Sequence, residues 1–313
     1  MKNAIADIEQ VLTAKEKKQI LNPHRTVIEF PQYHASSLYM PSADLVSEVA
    51  AVKVVTIFPN NPSQGKPTTQ GVVLISDAQN GEHLAFMNAS YLTRLRTGAL
   101  SGIATKYLAK KTAKVLTVIG TGAMAFEQVL GVLEVRAIEQ IILINRSVSK
   151  AFAFKEKLQK FGIDVPMEVS EDVRWAVRQA DIICCATRSE MPVFQGEDLK
   201  EGVHINGVGS YLPHMREVDE ITVTRAAKIV VDDEEGVKVE AGELIYAQNQ
   251  NIWSFQQIHS EVGKLVTGER VGRENDKEIT FFKSVGAAYF DLAVAKGVYM
   301  QAIKKNYGTQ VDI

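Results

Sequence analysis

Val115–Leu116–Thr117–Val118–Ile119–Gly120–Thr121–Gly122–Ala123–Met124–Ala125 runs from an unbroken apolar stretch into Gly-x-Gly-x-x-Ala. A strand buried on both faces of a parallel sheet reads as such a stretch. Gly120 permits a tight turn. Gly122 lets the backbone N–H groups around it, with those of Ala123 and Met124, approach a pyrophosphate, and small Ala125 lets the following helix pack close to the sheet. The pattern predicts strand, turn and helix arranged to receive a dinucleotide.

A second half of that pattern follows at the right distance. Gln140–Ile141–Ile142–Leu143–Ile144–Asn145–Arg146–Ser147 is another apolar strand, ending about 25 residues after Gly120, where an acidic residue would take the ribose 2′-hydroxyl of NAD. Here the tip is Asn145–Arg146–Ser147, with no carboxylate. Arg146 is suited to stack on adenine and pair with a 2′-phosphate, and Ser147 adds a hydroxyl. The reading is an NADP(H) site, with NAD(H) as the alternative.

The 313 residues amount to one large or two ordinary domains, and 46% hydrophobic with 23% charged residues is an ordinary globular composition. A formal net charge of −2 gives no case for nucleic acid or an anionic membrane as partner. Cys184 and Cys185 are adjacent. Neighbours on a strand point to opposite faces, so they suit neither a metal site nor an ordinary disulfide and read as buried thiols. The six histidines are scattered without metal-ligand spacing, and no metal is expected. Residues 1–20 lack the apolar core of a signal peptide, and no run reaches the ~18–20 apolar residues of a membrane span. The expected compartment is the cytoplasm.

From Lys114 to about Asp232, candidate strands at 114–119, 140–145, 165–169, 181–187, 203–208 and 228–232 alternate with amphipathic stretches such as 148–161 and 171–179. Such alternation predicts a Rossmann-type, doubly wound parallel sheet with ligands at the carboxyl ends of its strands. That rule places Gly120, Asn145, Thr187 and Gly207–Val208–Gly209 along one edge. The first part of the chain reads differently. Strands 50–58 and 71–76, an Asn80–Gly81 turn and a return at 82–87 make an antiparallel hairpin, and a long helix follows over about 91–109. The tail from Lys283 to Asn306 reads as a buried helix returning to this domain. The fold class is therefore α/β: a parallel-sheet NAD(P)-binding domain over 113–283, and a discontinuous α+β domain over 1–112 plus 284–313.

Lys53 lies within the apolar strand Ala50–Phe58, where a lysine is costly unless it is paired, functional or snorkelling past a sheet edge. Arg94 and Arg96, two apart on a helix, face different ways, so at most one enters a cleft. Arg25 opens an early apolar strand and is equally open. Asp232–Asp233–Glu234–Glu235 reads as a solvated helix start, where carboxylates are favourable.

Taken together, these segments resemble the ornithine cyclodeaminase/mu-crystallin family. The matching stretches are Arg25–Thr26–Val27, Met40–Pro41, Val52–Lys53–Val54–Val55, Asn61–Pro62 through Gly71, Leu95 to Ser101, Gly120–Thr121–Gly122, Asn145–Arg146–Ser147, His204 to Gly209 and Phe282–Lys283–Ser284–Val285–Gly286. They run through nearly the whole chain in order. The resemblance implies an NAD(P)-dependent enzyme of small 2-amino or 2-imino acids. It also implies a homodimer formed through the first domain and the tail helix, and it assigns Arg25, Lys53 and Arg96 to the substrate carboxylate. Cyclodeaminases carry a catalytic Asp shortly after the Val-Gly turn, in a Gly-Gly-Asp-x-Pro context. Val208–Gly209–Ser210–Tyr211–Leu212–Pro213 puts Tyr211 there.

The expectation is a reductase of cyclic or linear ketimines such as Δ1-pyrroline-2-carboxylate or Δ1-piperideine-2-carboxylate. In it Lys53 is the proton source, and Thr97 and Ser284 help seat the nicotinamide. Ornithine cyclodeaminase, an alanine-type amino-acid dehydrogenase and a non-catalytic NADPH-dependent binding protein are the alternatives.

Overall fold

A computed structural model describes residues 1–311. It divides into two compact units, one of Met1–Ile5 with Thr97–Gly286 and one of Ala6–Arg96 with the chain from Ala287 onward.

The first unit holds an eight-stranded sheet, in the order Ser260–Glu261, Lys228–Val231, Thr280–Lys283, His204–Gly207, Ile182–Cys185, Val115–Ile119, Gln140–Ile144, Met167–Ser170. Every pairing in it is parallel. Helices joining parallel strands cover both faces of such a sheet, so its strands are apolar throughout. Alternate residues of one strand accordingly fall into opposite cores: Ile183 and Cys185 into one, Ile182 and Cys184 into the other. Both thiols are free and buried, and burial pushes Cys184 up to about 12. The chain winds outward from Val115–Ile119 in one direction through 140–144 and 167–170, and in the other through 182–185 and 204–207. Gly120 therefore leaves its strand at the point where the winding reverses, which is where ligands bind in such sheets.

Sequence reading missed two strands of this sheet. Thr280–Lys283 lies in its interior, between His204–Gly207 and Lys228–Val231, and the tail helix begins only at Ala288. Four residues ending in a lysine carry too little periodicity to declare a strand. Ser260–Glu261 is shorter still.

The second unit holds a six-stranded antiparallel sheet in the order Ile20–Leu21, Ala35–Asp44, Val49–Ile57, Thr69–Asp77, His83–Asn88, with Thr26–Phe30 also paired to Ala35–Asp44. The expected hairpin closes as the Asn80–Gly81 signal predicts: Asp77 Oδ1 accepts from the N–H of Gln79 at 2.7 Å, and Gly81 takes φ +82°. Ala35–Asp44 was not anticipated because Pro41 interrupts it. Pro41 is tolerated because it falls between the stretch paired to Thr26–Phe30 and the stretch paired to Ile20–Leu21, so on that side no ladder requires its missing N–H. The tail helix Ala288–Lys305 packs on the three long strands 35–44, 49–57 and 69–77. It stops at Asn306, whose φ of 55° is a left-handed cap.

The two compact units part within the helix Ala89–Leu108 and after Gly286. The later half of that helix is drawn to the helix Ala123–Val135 by glycine contacts. A Cβ built on Gly98 would lie 2.2 Å from the Glu127 carbonyl oxygen, and one on Gly131 would lie 2.0 Å from that of Gly98. Among the described residues, no helix is long and apolar enough to cross a membrane.

Candidate active site

The dinucleotide turn is shaped by backbone needs first. Gly120 adopts φ +89°, and a Cβ there would meet Thr187 Cγ2 at 2.6 Å and the Ala186 carbonyl at 2.9 Å. Only glycine fits. Its N–H donates to the Ile144 carbonyl at 2.9 Å, fixing the turn to the neighbouring strand's end. Gly122 is different. It caps the helix Ala123–Val135 in extended geometry with no side-chain cap, and a Cβ on it would meet nothing within 4 Å. The protein's own packing makes no demand for glycine at 122, so the open space in front of it suits a ligand. Gly122 and Ala123 are exposed and Met124 half-buried, while Ala125 is fully buried against the sheet. The first-turn N–H groups of a helix have no partner within it and lie at the positive end of its dipole, so this cradle fits a pyrophosphate.

At the adjoining strand end, Asn145 braces the loop: its Oδ1 accepts from the Thr121 N–H at 3.2 Å, and its Nδ2 donates to the Ser147 carbonyl at 2.9 Å. Arg146 is exposed and Ser147 Oγ lies 3.0 Å from Ser149 Oγ. Arg146, Ser147 and Ser149 thus form a cluster of donors with no carboxylate among them.

Farther along the sheet edge, the expected residues turn inward. The N–H and hydroxyl of Thr187 both donate to Glu217 Oε1, at 2.5 and 2.7 Å, while Glu217 Oε2 accepts from the N–H groups of Gly209 at 2.7 Å and Ser210 at 3.3 Å. Val208 is buried, its N–H donating to the Cys185 carbonyl at 3.1 Å. The Ser284 hydroxyl donates to Asp232 Oδ2 at 2.7 Å, and that oxygen also takes the N–H of Val285 and of Gly286. Asp232 is therefore buried rather than solvated as expected, and Asp233 is the residue that caps the next helix. Thr97 is buried in its helix. Lys283 is fully buried, its Nζ donating to the carbonyl and hydroxyl oxygens of Ser210 and to Glu243 Oε1 at 3.1 Å. Burial pushes the Glu217 carboxyl up, against the pull of Lys283 and the Thr187 donors.

In the other unit, Lys53 is paired and does not snorkel. Its Nζ lies 2.9 Å from each carboxylate oxygen of Asp291, in the first turn of the tail helix. Arg96 Nε stands 3.7 Å from Asp291 Oδ1 and makes no hydrogen bond, and the Thr93 hydroxyl donates to the same oxygen at 3.4 Å. Lys53, Arg96 and Asp291 are 5%, 7% and 1% exposed. Burial pulls the Lys53 ammonium below the ordinary lysine range; Asp291 raises it, and Arg96 and half-buried Arg25 lower it further. Arg94 donates to the Ser90 carbonyl at 3.3 Å, with its guanidinium 5.6 Å from the Tyr91 ring. Of the two arginines, Arg96 is the one that enters the cluster.

A family model described as ornithine cyclodeaminase/mu-crystallin family matches residues 1–306. The chain belongs to that family. It is 43% identical over 296 residues to a Delta(1)-pyrroline-2-carboxylate reductase of Bacillus cereus, covering 94% of this chain and 90% of the relative. Among solved structures it is similar to the Thermococcus litoralis Delta(1)-pyrroline-2-carboxylate reductase in complex with NADH and L-proline, with TM-score 0.94 and 38% identity over 99% of this chain and 96% of that one. An archaeal alanine dehydrogenase dimer with bound NAD superposes with TM-score 0.92 and 33% identity, covering 100% of this chain and 95% of the other.

Sequence reasoning missed Asp291 as the partner of Lys53 in one unit, and Glu217, Glu243 and Lys283 as buried charged groups in the other. Asp291 carried a usable signal: an acidic residue between Phe290 and Leu292, in a tail read as buried, needs a buried cation, and Lys53 was in hand. Glu217 and Glu243 carried none, since carboxylates in loops and helix starts are ordinarily solvated.

Proposed function

We propose that the protein reduces small cyclic or linear 2-imino acids of the Δ1-pyrroline-2-carboxylate and Δ1-piperideine-2-carboxylate type, using a reduced nicotinamide dinucleotide. The buried Lys53–Asp291–Arg96 cluster carries this reading. It sets two buried cations against one carboxylate, and the charge of Arg25 also acts on Lys53. Such an excess of positive charge in a partly dry site is neutralised by a substrate carboxylate. The activity named for the Bacillus cereus and Thermococcus litoralis relatives supports the same substrate class.

When bound, the reduced dinucleotide supplies a hydride to C2 of the imine. Arg25, Lys53 and Arg96 clamp the substrate carboxylate and so orient C2 for that delivery. Lys53 gives a proton to the imine nitrogen, directly or through one water, and is reprotonated from solvent. The C=N bond becomes CH–NH, with the hydride on carbon and the proton on nitrogen. Because burial lowers its pKa, the Lys53 ammonium is a better acid than an exposed one.

The tip Asn145–Arg146–Ser147 supports a preference for NADP(H), Arg146 being free of any neighbouring carboxylate at that tip and well placed in sequence for a 2′-phosphate. Homodimerisation is supported by the face of the antiparallel sheet turned away from the tail helix. There Tyr39, Val54 and Val72 align across the strands beside Pro41, Val52, Leu74 and Phe86, with Tyr39 38% and Phe86 70% exposed. Two free buried thiols suit the cytoplasm.

The deciding experiment follows oxidation of NADPH and of NADH with Δ1-pyrroline-2-carboxylate, beside ornithine with NAD and pyruvate with ammonia. Rapid oxidation with the imine is expected. Ammonia from ornithine without net dinucleotide reduction would make the protein a cyclodeaminase, and turnover of pyruvate alone an alanine dehydrogenase. Dinucleotide binding without turnover across an imine panel would make it a binding protein. Lys53→Ala is expected to abolish hydride transfer while dinucleotide binding is kept, and near-normal turnover would remove Lys53 from its assigned role.

A further inference from the structure

We propose that Asp291 is a positioning residue that keeps Lys53 cationic and aims it, so that the tail helix acts on the reaction through a side chain that itself reacts with nothing. This rests on the reading of Lys53 given above and assigns the group that makes that reading work.

An ammonium has three N–H donors in a tetrahedral array. At Lys53, both Asp291 oxygens lie 2.9 Å from Nζ, so the carboxylate sits on one side of the ammonium and its two oxygens share the N–H turned toward them. By the tetrahedral array the remaining donors are turned away from Asp291. The lysine stem, with four rotatable bonds, would otherwise wander over many rotamers. On the facing helix, the buried Arg96 Nε reaches Asp291 only at 3.7 Å and has no hydrogen-bond partner. One carboxylate thus holds two cations side by side while satisfying neither, and each retains a donor for a second carboxylate.

The charged groups facing Lys53 come from three elements. Arg25 precedes the strand Thr26–Phe30, Arg96 lies on the helix Ala89–Leu108, and Asp291 lies on the tail helix with Thr93 donating to it. Both arginines and the burial favour neutral lysine, and Asp291 alone among these groups opposes them. Asp291 lies in the first turn of an 18-residue helix, where a negative charge is favourable. Neutral Lys53 would neither attract a carboxylate nor have an ammonium proton to give.

The test uses the full-length protein and Asp291→Asn, which preserves volume, with Asp291→Glu as the conservative restoration of charge. Thermal melting and dinucleotide titration establish that each variant is folded and loaded. The titration of the Lys53 ammonium is read from its 15N NMR signal, assigned by its absence in Lys53→Arg. Asp291→Asn is expected to lower the Lys53 pKa by about one unit or more, as removal of an opposite charge in contact does. The alkaline limb of kcat/KM for the imine should move to lower pH by the same amount, with KM raised about tenfold or more at neutral pH. Asp291→Glu should return both part of the way. A merely structural role would lower the melting temperature and scale the whole profile without moving the limb. An unchanged Lys53 titration in folded Asp291→Asn overturns the proposal whatever the substrate proves to be. Full turnover by Lys53→Ala, by contrast, overturns the reading of Lys53 and is visible separately.

Discussion

Glu217 Oε1 accepts both the backbone N–H and the hydroxyl of Thr187, at 2.5 and 2.7 Å, across thirty residues of sequence. Its other oxygen holds the N–H groups of Gly209 and Ser210, so one buried carboxylate ties together the loops that leave two neighbouring strands at the ligand edge. Glu217→Gln would set an amide N–H₂ against donors it cannot satisfy. We expect a loss of about 2–4 kcal/mol in stability, the usual cost of breaking a buried charged network. Weaker dinucleotide binding should accompany it. Urea denaturation and dinucleotide titration measure the two, and a variant as stable as the parent would show that the loops hold themselves.

Gly122 and Gly131 separate ligand demand from packing demand. Gly122→Ala places its Cβ in open space at φ −80°, so the melting temperature should be unchanged while dinucleotide affinity falls tenfold or more, about 1.4 kcal/mol by the usual conversion. Gly131→Ala drives a methyl to within 2.0 Å of the Gly98 carbonyl, and should cost about 3 kcal/mol or more of stability as the two helices separate. Equal effects of the two substitutions on stability would contradict this division.

Arg146 is exposed and free to meet a phosphate. Arg146→Ala should raise the Kd of NADPH about tenfold or more while leaving that of NADH nearly unchanged, since a charge-assisted contact to phosphate contributes about 1.5–3 kcal/mol. Loss of both affinities in equal measure would place Arg146 on adenine alone.

His204 is fully buried, its Nδ1 3.0 Å from Thr280 Oγ1 and its Nε2 3.2 Å from Asn206 Oδ1, and burial brings its pKa down to about 3 from the ordinary 6.5. A depressed folded-state pKa means that the unfolded chain binds the proton first. The stability His204 contributes is complete above about pH 6.5 and is lost progressively as pH falls toward 3. Between pH 7 and pH 5 this single group should remove about 2 kcal/mol. Denaturation of His204→Gln at the two pH values should show a correspondingly smaller difference than the parent, and identical differences would assign the acid sensitivity to other groups.

Much of the fold could be read along the chain because it is encoded locally. The apolar run into Gly120 and Gly122 forces strand, turn and helix by steric and hydrogen-bonding needs that extend over about one turn. The 2-residue and 3.6-residue periods separated the antiparallel hairpin from the alternating strands and helices. Lys53 was conspicuous for the same reason: a lone charge breaks a period. Ala35–Asp44 and Thr280–Lys283 escaped because a proline in one and a lysine in the other violate local preference, and each is permitted by a neighbour that only the assembled sheet supplies.

By itself the sequence determined the dinucleotide turn, the parallel and antiparallel halves, and the short list of cations out of place in apolar surroundings. Tertiary structure alone decided which cation meets which carboxylate. Lys53 finds Asp291 across 238 residues, and Lys283 finds Glu243 between strands and helices that share no local pattern. A buried charge states that it needs a partner, because leaving it unpaired in a low dielectric is prohibitively costly. It does not state where along the chain that partner lies, since the pairing energy acts through space and leaves no periodic mark in the sequence.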